Sequence, residues 1–464
     1  AGSQYIREIE INELEKFIGG GDDRDYQTIR KLRNRLISRL KPKPKIFADV
    51  QDNAAVICGL NKFMEMLRNY RDDSDDPQAL EADIISDYYD SLCNNHSYVF
   101  ESILSYSSVS GATNQHSASL DIFSRKSDQY YENVIVDEAA RSNPLDLMIP
   151  MSLARDRIIL VGDHRQLPHM LDNDIAKKVE DDVKIQNGDD ASVDIQKELS
   201  YSMFERLKRI LTELEKKDGI RRCITLDEQY RTHPLLGDFV SRTFYESKDV
   251  TERFRSPRGA EQFAHSLPGI ENKAAVWLEV PASLGGEERA GSSCIRRAEA
   301  RSIAAHLKRM MDSDAGRNMT FGVITFYSGQ VREIMKALAE IGIAEKVPHS
   351  EEYRLCDSYA SAIIEKGGKS ERVEKLRVGS LDAFQGMEFD VVYLSMVRCN
   401  QENKFGFLTV ENRLCVAMSR QKKLLIAVGD SGMFTNVAAE RKIPAVYAFR
   451  KQLCEENKEY GAII

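Results

Sequence analysis

No two cysteines in the sequence lie closer than sixteen residues; the eight (Cys58, Cys93, Cys223, Cys294, Cys356, Cys399, Cys415 and Cys454) are scattered singly. That spacing excludes CxxC redox pairs and zinc-type ligand sets, and predicts reduced thiols in the cytosol. An apolar run near the ~20 residues needed to cross a bilayer is also missing, so no integral membrane protein is expected. The start, Ala1-Gly2-Ser3-Gln4, has neither the basic nor the apolar region of a signal peptide. It reads as a cloning remnant, which predicts a chain cut from something longer. Excess positive charge is absent too. A net charge of −8 over 464 residues excludes a histone-like coat for nucleic acid and leaves room only for a local basic channel.

Charge and apolar residues are otherwise plentiful, at 30% and 42% of the chain, enough for several domains with buried cores. Residues 1–100 are charged and apolar at helical spacing (Ile29, Leu32, Leu36, Leu40; Ile57, Leu60, Phe63, Met64, Leu67), which predicts a helical insertion or arm. From residue 101 the texture changes to short apolar strands alternating with helices. Val134–Val136 and Arg157–Val161, a helix's length apart, make a βαβ unit and so a parallel sheet. Residues 171–199 carry nine acidic and four basic side chains and read as an acidic loop. A helix is expected at Tyr201–Leu214. Strands are expected at Ile224–Leu226, Ala275–Val280, Gly322–Thr325, Val378–Ser380, Val391–Met396 and Leu424–Val428. The only tryptophan, Trp277, reads as a strand residue packed in a core. The boundaries predicted are 1–100, 101–221 and 222–464.

Asp137 and Glu138 follow the first buried strand directly. The carboxyl end of a strand is where open α/β sheets bind ligands, and two carboxylates there suit a phosphate-bound Mg2+ and an attacking water. The neighbouring strand ends in Gly162-Asp163-His164-Arg165-Gln166-Leu167-Pro168, a tip suited to sensing a γ-phosphate or its water. The second half supplies cations. Tyr230 and Arg231 come in Asp227–Pro234, and Glu411–Lys422 reads as one helix carrying Asn412, Arg413 and Arg420, the two arginines seven apart and hence on one face. A guanidinium reaching a triphosphate from a second domain is an arginine finger.

These segments resemble the helicase motifs of superfamily 1B, the branch containing the RNA-decay and Okazaki-processing helicases. DEAA (137–140) resembles motif II, GDHRQLP (162–168) motif III, and EQYRTHP (228–234) the motif that follows. Val323–Gln330 resembles motif IV, LDAFQGMEFD (381–390) motif V, and NRLCVAMSR (412–420) motif VI. Ser110–Thr113 is similar to the short motif before motif II. The match covers roughly residues 101–430 in the family's order. It implies an α/β fold of two RecA-like parallel-sheet domains, the first incomplete, with ATP and Mg2+ between them and single-stranded nucleic acid as partner, RNA or DNA.

The resemblance also implies roles. Asp137 would hold Mg2+ and Glu138 would be the general base. Gln166 would sense the γ-phosphate, which Arg231 and Arg420 would neutralise. Tyr230 would stack on the adenine and Glu388 would contact the ribose, with Asp163, Gly386 and Arg413 completing the nucleotide site. Thr113, Thr325 and Ser380 would touch the nucleic-acid backbone, positioning the strand without reading its sequence. His169 and Phe326 stand where the family often has proline, on loops near the expected strand channel.

One motif is missing. A phosphate-binding loop needs G-x-x-x-x-G-K-[ST] between a strand and a helix, so that backbone N–H groups cradle the phosphates. The only GK[ST] is Gly368-Lys369-Ser370, with Ile363 where the first glycine should stand, behind a segment (Ser358–Lys366) that reads as a helix ending in a Gly-Gly cap. Two readings follow: an ATP-driven 5′ to 3′ helicase or translocase, inactive in the stretch given, or a helicase-like module that binds a partner or nucleic acid without hydrolysing ATP.

Overall fold

The computed structural model describes residues 107–118, 131–167, 202–366 and 369–464; the side chains of 363–371 are outside it. The chain divides into two compact units, Ala1–Gly111 and Ala112–Ile464. The helical arm expected over residues 1–100, the acidic segment 171–199 and His169 lie outside the described residues.

The second unit begins with β1 (Tyr131–Val136), α1 (Pro144–Met151) and β2 (Ala154–Leu160), and the two strands pair in parallel as the βαβ reading expects. Asn143 caps α1, its side chain accepting from Leu145 N–H at 2.9 Å, and Pro144 takes the first helical position, where no N–H is needed. The core here is small: Val136, Ala139 and Leu147 are buried, while Ile135, Ile158 and Ile159 stay exposed on the two-stranded sheet. Next comes α2 (Met203–Asp218), which ends one turn later than expected. Ser202 accepts from Glu205 N–H at its start and Gly219 closes it at φ 71°.

The larger part is a six-stranded sheet, β11 (Leu376–Ser380), β6 (Phe321–Thr325), β12 (Phe389–Ser395), β13 (Gln421–Gly429), β3 (Ala275–Glu279) and β14 (Gly461–Ile463), in that order and parallel throughout. Alternate side chains go to opposite faces. Val391, Tyr393, Leu424 and Ile426 pack with Ile303 and Leu307 of α4 (Arg297–Asp312) and Ile334 and Leu338 of α5 (Ser328–Glu340). Val392, Leu394, Leu425 and Ala427 pack with Phe239 of α3 (Pro234–Val240), Leu414 of α6 (Glu411–Ala417), Phe434 and Phe449. Because helices cover both faces, these strands are continuous apolar runs without polar alternation. Trp277 is fully buried in β3, and three antiparallel hairpins, β4–β5 (Glu288–Ala290, Ser293–Ile295), β7–β8 (Ala344–Lys346, Tyr353–Leu355) and β9–β10 (Ser361–Lys366, Lys369–Glu374), project from the sheet's connections.

Three expected elements differ. Ser361–Lys366 is a strand, not the end of a helix, and pairs antiparallel with Lys369–Glu374; the Gly367-Gly368 cap expected there lies outside the described residues. Such a glycine pair serves a helix end or a hairpin equally well, and only strand pairing distinguishes them. Ile224–Leu226 forms no strand. Ile224 and Leu226 are 71% and 77% exposed, and no strand among the described residues pairs with the segment. The helix expected over Glu411–Lys422 stops at Ala417. Arg420 has by then turned into the sheet, its carbonyl accepting from Phe389 N–H at 3.0 Å, so Arg413 and Arg420 do not share a helical face.

Candidate nucleotide and nucleic-acid site

The acid pair sits at the carboxyl end of β1, exposed, with Glu138 N–H donating to Asp137 Oδ1 at 2.9 Å. Glu138 adopts φ 54°, a left-handed conformation that costs a non-glycine residue about 1 kcal/mol or more and gathers at functional sites. The small residues around it have a physical cause. Ala139 N–H donates to Val161 O at 2.8 Å, and a Cβ on Gly162 would fall 2.7 Å from Ala140 N. Two alanines and a glycine let the tips of β1 and β2 meet.

At the tip of β2, Asp163 is a hub. It accepts from Arg165 N–H at 2.9 Å, from Gln166 Nε2 at 2.8 Å and from the Tyr245 hydroxyl. Burial first, then the nearby Cys415 and Asp163, hold the Tyr245 phenol far above its usual range, so it stays a donor. Gln166 is thereby oriented with its carbonyl oxygen toward Arg420, whose Nη2 donates to it at 3.2 Å. Arg420 is 2% exposed, and its Nε also donates to Val416 O at 3.1 Å, satisfying a carbonyl at the end of α6. Burial, then repulsion from Arg231, lower its pKa, with Cys415, Glu138 and Tyr245 opposing.

Arg231 pairs with Glu388 at 2.8 Å, and Lys422 holds the other carboxylate oxygen at 2.8 Å. Burial pushes the Glu388 carboxyl up, but the bond from Lys422 and the charges of Lys422 and Arg231 carry it below its ordinary value. Gln229 shapes the turn that presents Arg231: its Oε1 accepts from Arg231 N–H at 3.0 Å and Thr232 N–H at 2.9 Å.

Topology gives these contacts meaning. Glu388 and Arg420 immediately precede β12 and β13, at the amino edge of the six-stranded sheet, whereas Gln166 follows β2 at the carboxyl edge of the two-stranded one. Carboxyl edge thus meets amino edge at Gln166 and Arg420. A cavity of about 320 Å³ opens beside this junction, lined among others by Ala140, His164, Gln166, Phe244 and Asn412. A second, of about 300 Å³, is lined by Thr113 together with Asp137 and Glu138.

Other expected site residues lie elsewhere. Arg413 pairs with Asp382 at 3.3 Å and covers the ring of Phe407 at 4.8 Å, on the side of the sheet's carboxyl edge, because the end of α6 separates it from Arg420. Thr325 is fully buried and presents nothing to a strand in this structure, and Phe326 is buried beside it. Ser380, half-buried, ends β11, and Gly386 turns the following loop at φ 75°. Tyr230 is 49% exposed, its hydroxyl donating to Glu228 at 2.5 Å.

Sequence reasoning gave no role to Tyr245, Gln229, Lys422 or Asn412, whose Nδ2 donates to Gln166 O at 2.7 Å. Nor did it find Glu252, buried at 5% exposure among His164 (3.1 Å), Arg165 (2.8 Å) and Lys208 (2.5 Å). Burial opposes its charge, yet bonds from these three hold its carboxyl far below the usual range. Asn412 and Arg165 stood inside recognised motifs; Tyr245 and Glu252 left no sequence signal. Among the described residues no group of three or more His, Cys, Asp or Glu could hold a metal by itself, no helix is long and apolar enough to cross a membrane, and the six cysteines are free.

Two parallel sheets meet edge to edge over paired acids and convergent arginines in an α/β protein. A family model described as an AAA domain matches residues 199–432, half of the chain, and another of the same description matches residues 8–173. The chain belongs to this family. It is 30% identical over 308 residues to the regulator of nonsense transcripts 1 homolog of Neurospora crassa, covering 66% of this chain and 23% of that protein. Identity to the ATP-dependent helicase upf1 of Schizosaccharomyces pombe is 30% over 305 residues, covering 65% and 27%. Identity to the ATP-dependent helicase NAM7 of Saccharomyces cerevisiae is 30% over 312 residues, covering 66% and 26%. The chain therefore spans about a quarter of the length of these relatives.

Proposed function

We propose that this chain supplies the hydrolytic and strand-gripping parts of an ATP-dependent helicase or translocase acting 5′ to 3′ on a single strand in the cytosol, with the division between its two α/β halves at residues 221/222. The observation that carries this is the contact of Arg420 with Gln166 at 3.2 Å, which sets a buried guanidinium against the tip of β2, the strand paired with the one whose tip carries the acids. Asp137 offers a hard oxygen donor that would suit Mg2+, and among the described residues no group of three or more His, Cys, Asp or Glu could hold that ion by itself. Glu138 takes the proton of the attacking water, Gln166 orients that water, and Arg231 and Arg420 offset charge developing on the γ-phosphate. Tyr230 and Glu388 face the base and ribose. Before nucleotide enters, Gln166 and Glu388 occupy these arginines, so binding exchanges protein partners for phosphate oxygens at sites already shaped for them.

Single-strand binding tests the reading, as anisotropy of a labelled oligonucleotide with the chain as given. Affinity should be tolerant of base sequence and fall steeply between 50 and 200 mM salt, as counterion release requires. Absence of binding at low salt, or affinity indifferent to salt, would remove the nucleic-acid part. Binding with strong preference for one base sequence would favour a dedicated recognition module.

A further inference from the structure

We infer that Phe407 is a base-stacking platform for single-stranded nucleic acid, set at the carboxyl edge of the six-stranded sheet; this rests on the nucleic-acid part of the reading above. Among the described residues Phe407 is the one phenylalanine exposed to this degree, at 44%, and it stands between Phe405 and Leu408, which are buried at 2% and 0%. A large ring left open between two buried apolar side chains calls for an occupant.

The ring is fixed in place. The Arg413 guanidinium lies 4.8 Å from its centroid and is tethered to Asp382 at 3.3 Å. Tyr327 packs against it at 5.3 Å and 46°, and the Phe407 N–H reaches the Tyr327 hydroxyl at 3.4 Å. Gly406, at φ 57°, allows this approach, since a Cβ there would run into that hydroxyl and the guanidinium of Arg398. A ring immobilised beforehand loses little entropy when a base lands on it.

The position fits a strand. Tyr327 lies two residues beyond Thr325 and Asp382 two beyond Ser380, so Phe407 rests on Tyr327 past the end of β6 and, through Arg413, is tied to Asp382 past the end of β11, the strand ends expected to meet the nucleic-acid backbone. Backbone contacts hold a strand but leave its bases unstacked, and an aromatic face restores stacking whatever the base, because every base has a π-face. Arginine beneath the ring adds positive charge beside the phosphates.

The test compares two fluorescein-labelled twelve-mers, an oligouridylate and a strand of the same length with abasic sites, each titrated into the full chain. Wild type should bind the uridylate about tenfold more tightly than the abasic strand. Phe407→Ala and Phe407→Leu should close that gap with the salt dependence unchanged, and Phe407→Trp should preserve it. Phe407→Leu keeps apolar volume, so it reads the loss of the π-face even if the alanine variant folds poorly. A gap undiminished in Phe407→Leu overturns the platform while leaving strand binding standing; a wild-type chain that binds neither strand overturns both.

Discussion

The guanidinium of Arg420 donates to the side-chain carbonyl of Gln166 at 3.2 Å although 254 residues separate them, and Gln166 is turned to receive it by its own bond to Asp163 at 2.8 Å. A cationic side chain 2% exposed whose hydrogen-bond acceptors among the described residues are all neutral, at Gln166, Val416 and Ser419, is an expensive arrangement to keep unless something anionic takes its place during a cycle.

That contact should appear as an energetic coupling. In urea unfolding, Arg420→Ala is expected to cost about 2–4 kcal/mol, since it strands buried acceptors. Combined with Gln166→Ala, the double-mutant cycle should give a coupling of roughly 0.5–3 kcal/mol. Additive effects would mean that the two side chains do not hold one another in solution.

The close approach behind the acid pair predicts intolerance at Gly162. Its Cβ would lie 2.7 Å from Ala140 N, a backbone atom that cannot swing aside. Gly162→Ala should cost about 1–3 kcal/mol by overpacking, read as a lowered urea midpoint. A variant as stable as wild type would show that the tips of β1 and β2 are not pressed together.

His306 predicts an acid limb of stability. Burial, then the charge of Arg309, lower its pKa from 6.5 to about 4, and its Nδ1 meets the Tyr393 hydroxyl at 2.8 Å. With the folded pKa depressed, the unfolded chain binds the proton first. The histidine's contribution is full above about pH 6.5 and is lost as pH falls toward 4, up to ~3 kcal/mol. His306→Phe should flatten the stability slope across that window, whatever it costs at neutral pH by leaving the tyrosine hydroxyl unpaired. An unchanged slope would mean the group titrates normally.

Catalysis by the chain as given should be absent. No G-x-x-x-x-G-K-[ST] occurs in the sequence, so no glycine-rich loop of that kind offers backbone amides and a lysine to the phosphates facing Asp137 and Glu138. Single strands should not stimulate ATP hydrolysis. Turnover above background that vanishes in Glu138→Gln would overturn this expectation and require a phosphate cradle of another kind.

The sequence by itself determined the parallel α/β class, five of the six strands of the large sheet (all but β14) and the acids at the tip of β1, because each is written locally. A strand covered on both faces is a continuous apolar run, as at Val391–Ser395, and a chain that must pass close to its neighbour shows small residues, as at Ala139, Ala140 and Gly162. Tertiary structure decided what depends on partners distant in sequence. The segment Ile224–Leu226 has strand composition but pairs with no strand among the described residues, and Ser361–Lys366 became a strand only because Lys369–Glu374 pairs with it. The motif VI helix ended early because Arg420 was recruited into the ladder of β12 and β13. Tyr245, Glu252 and Phe407 look unremarkable in sequence. They acquired their places because a hydrogen bond, an ion cluster or an exposed ring is a property of what the folded chain sets next to them, and local pattern carries no information about that.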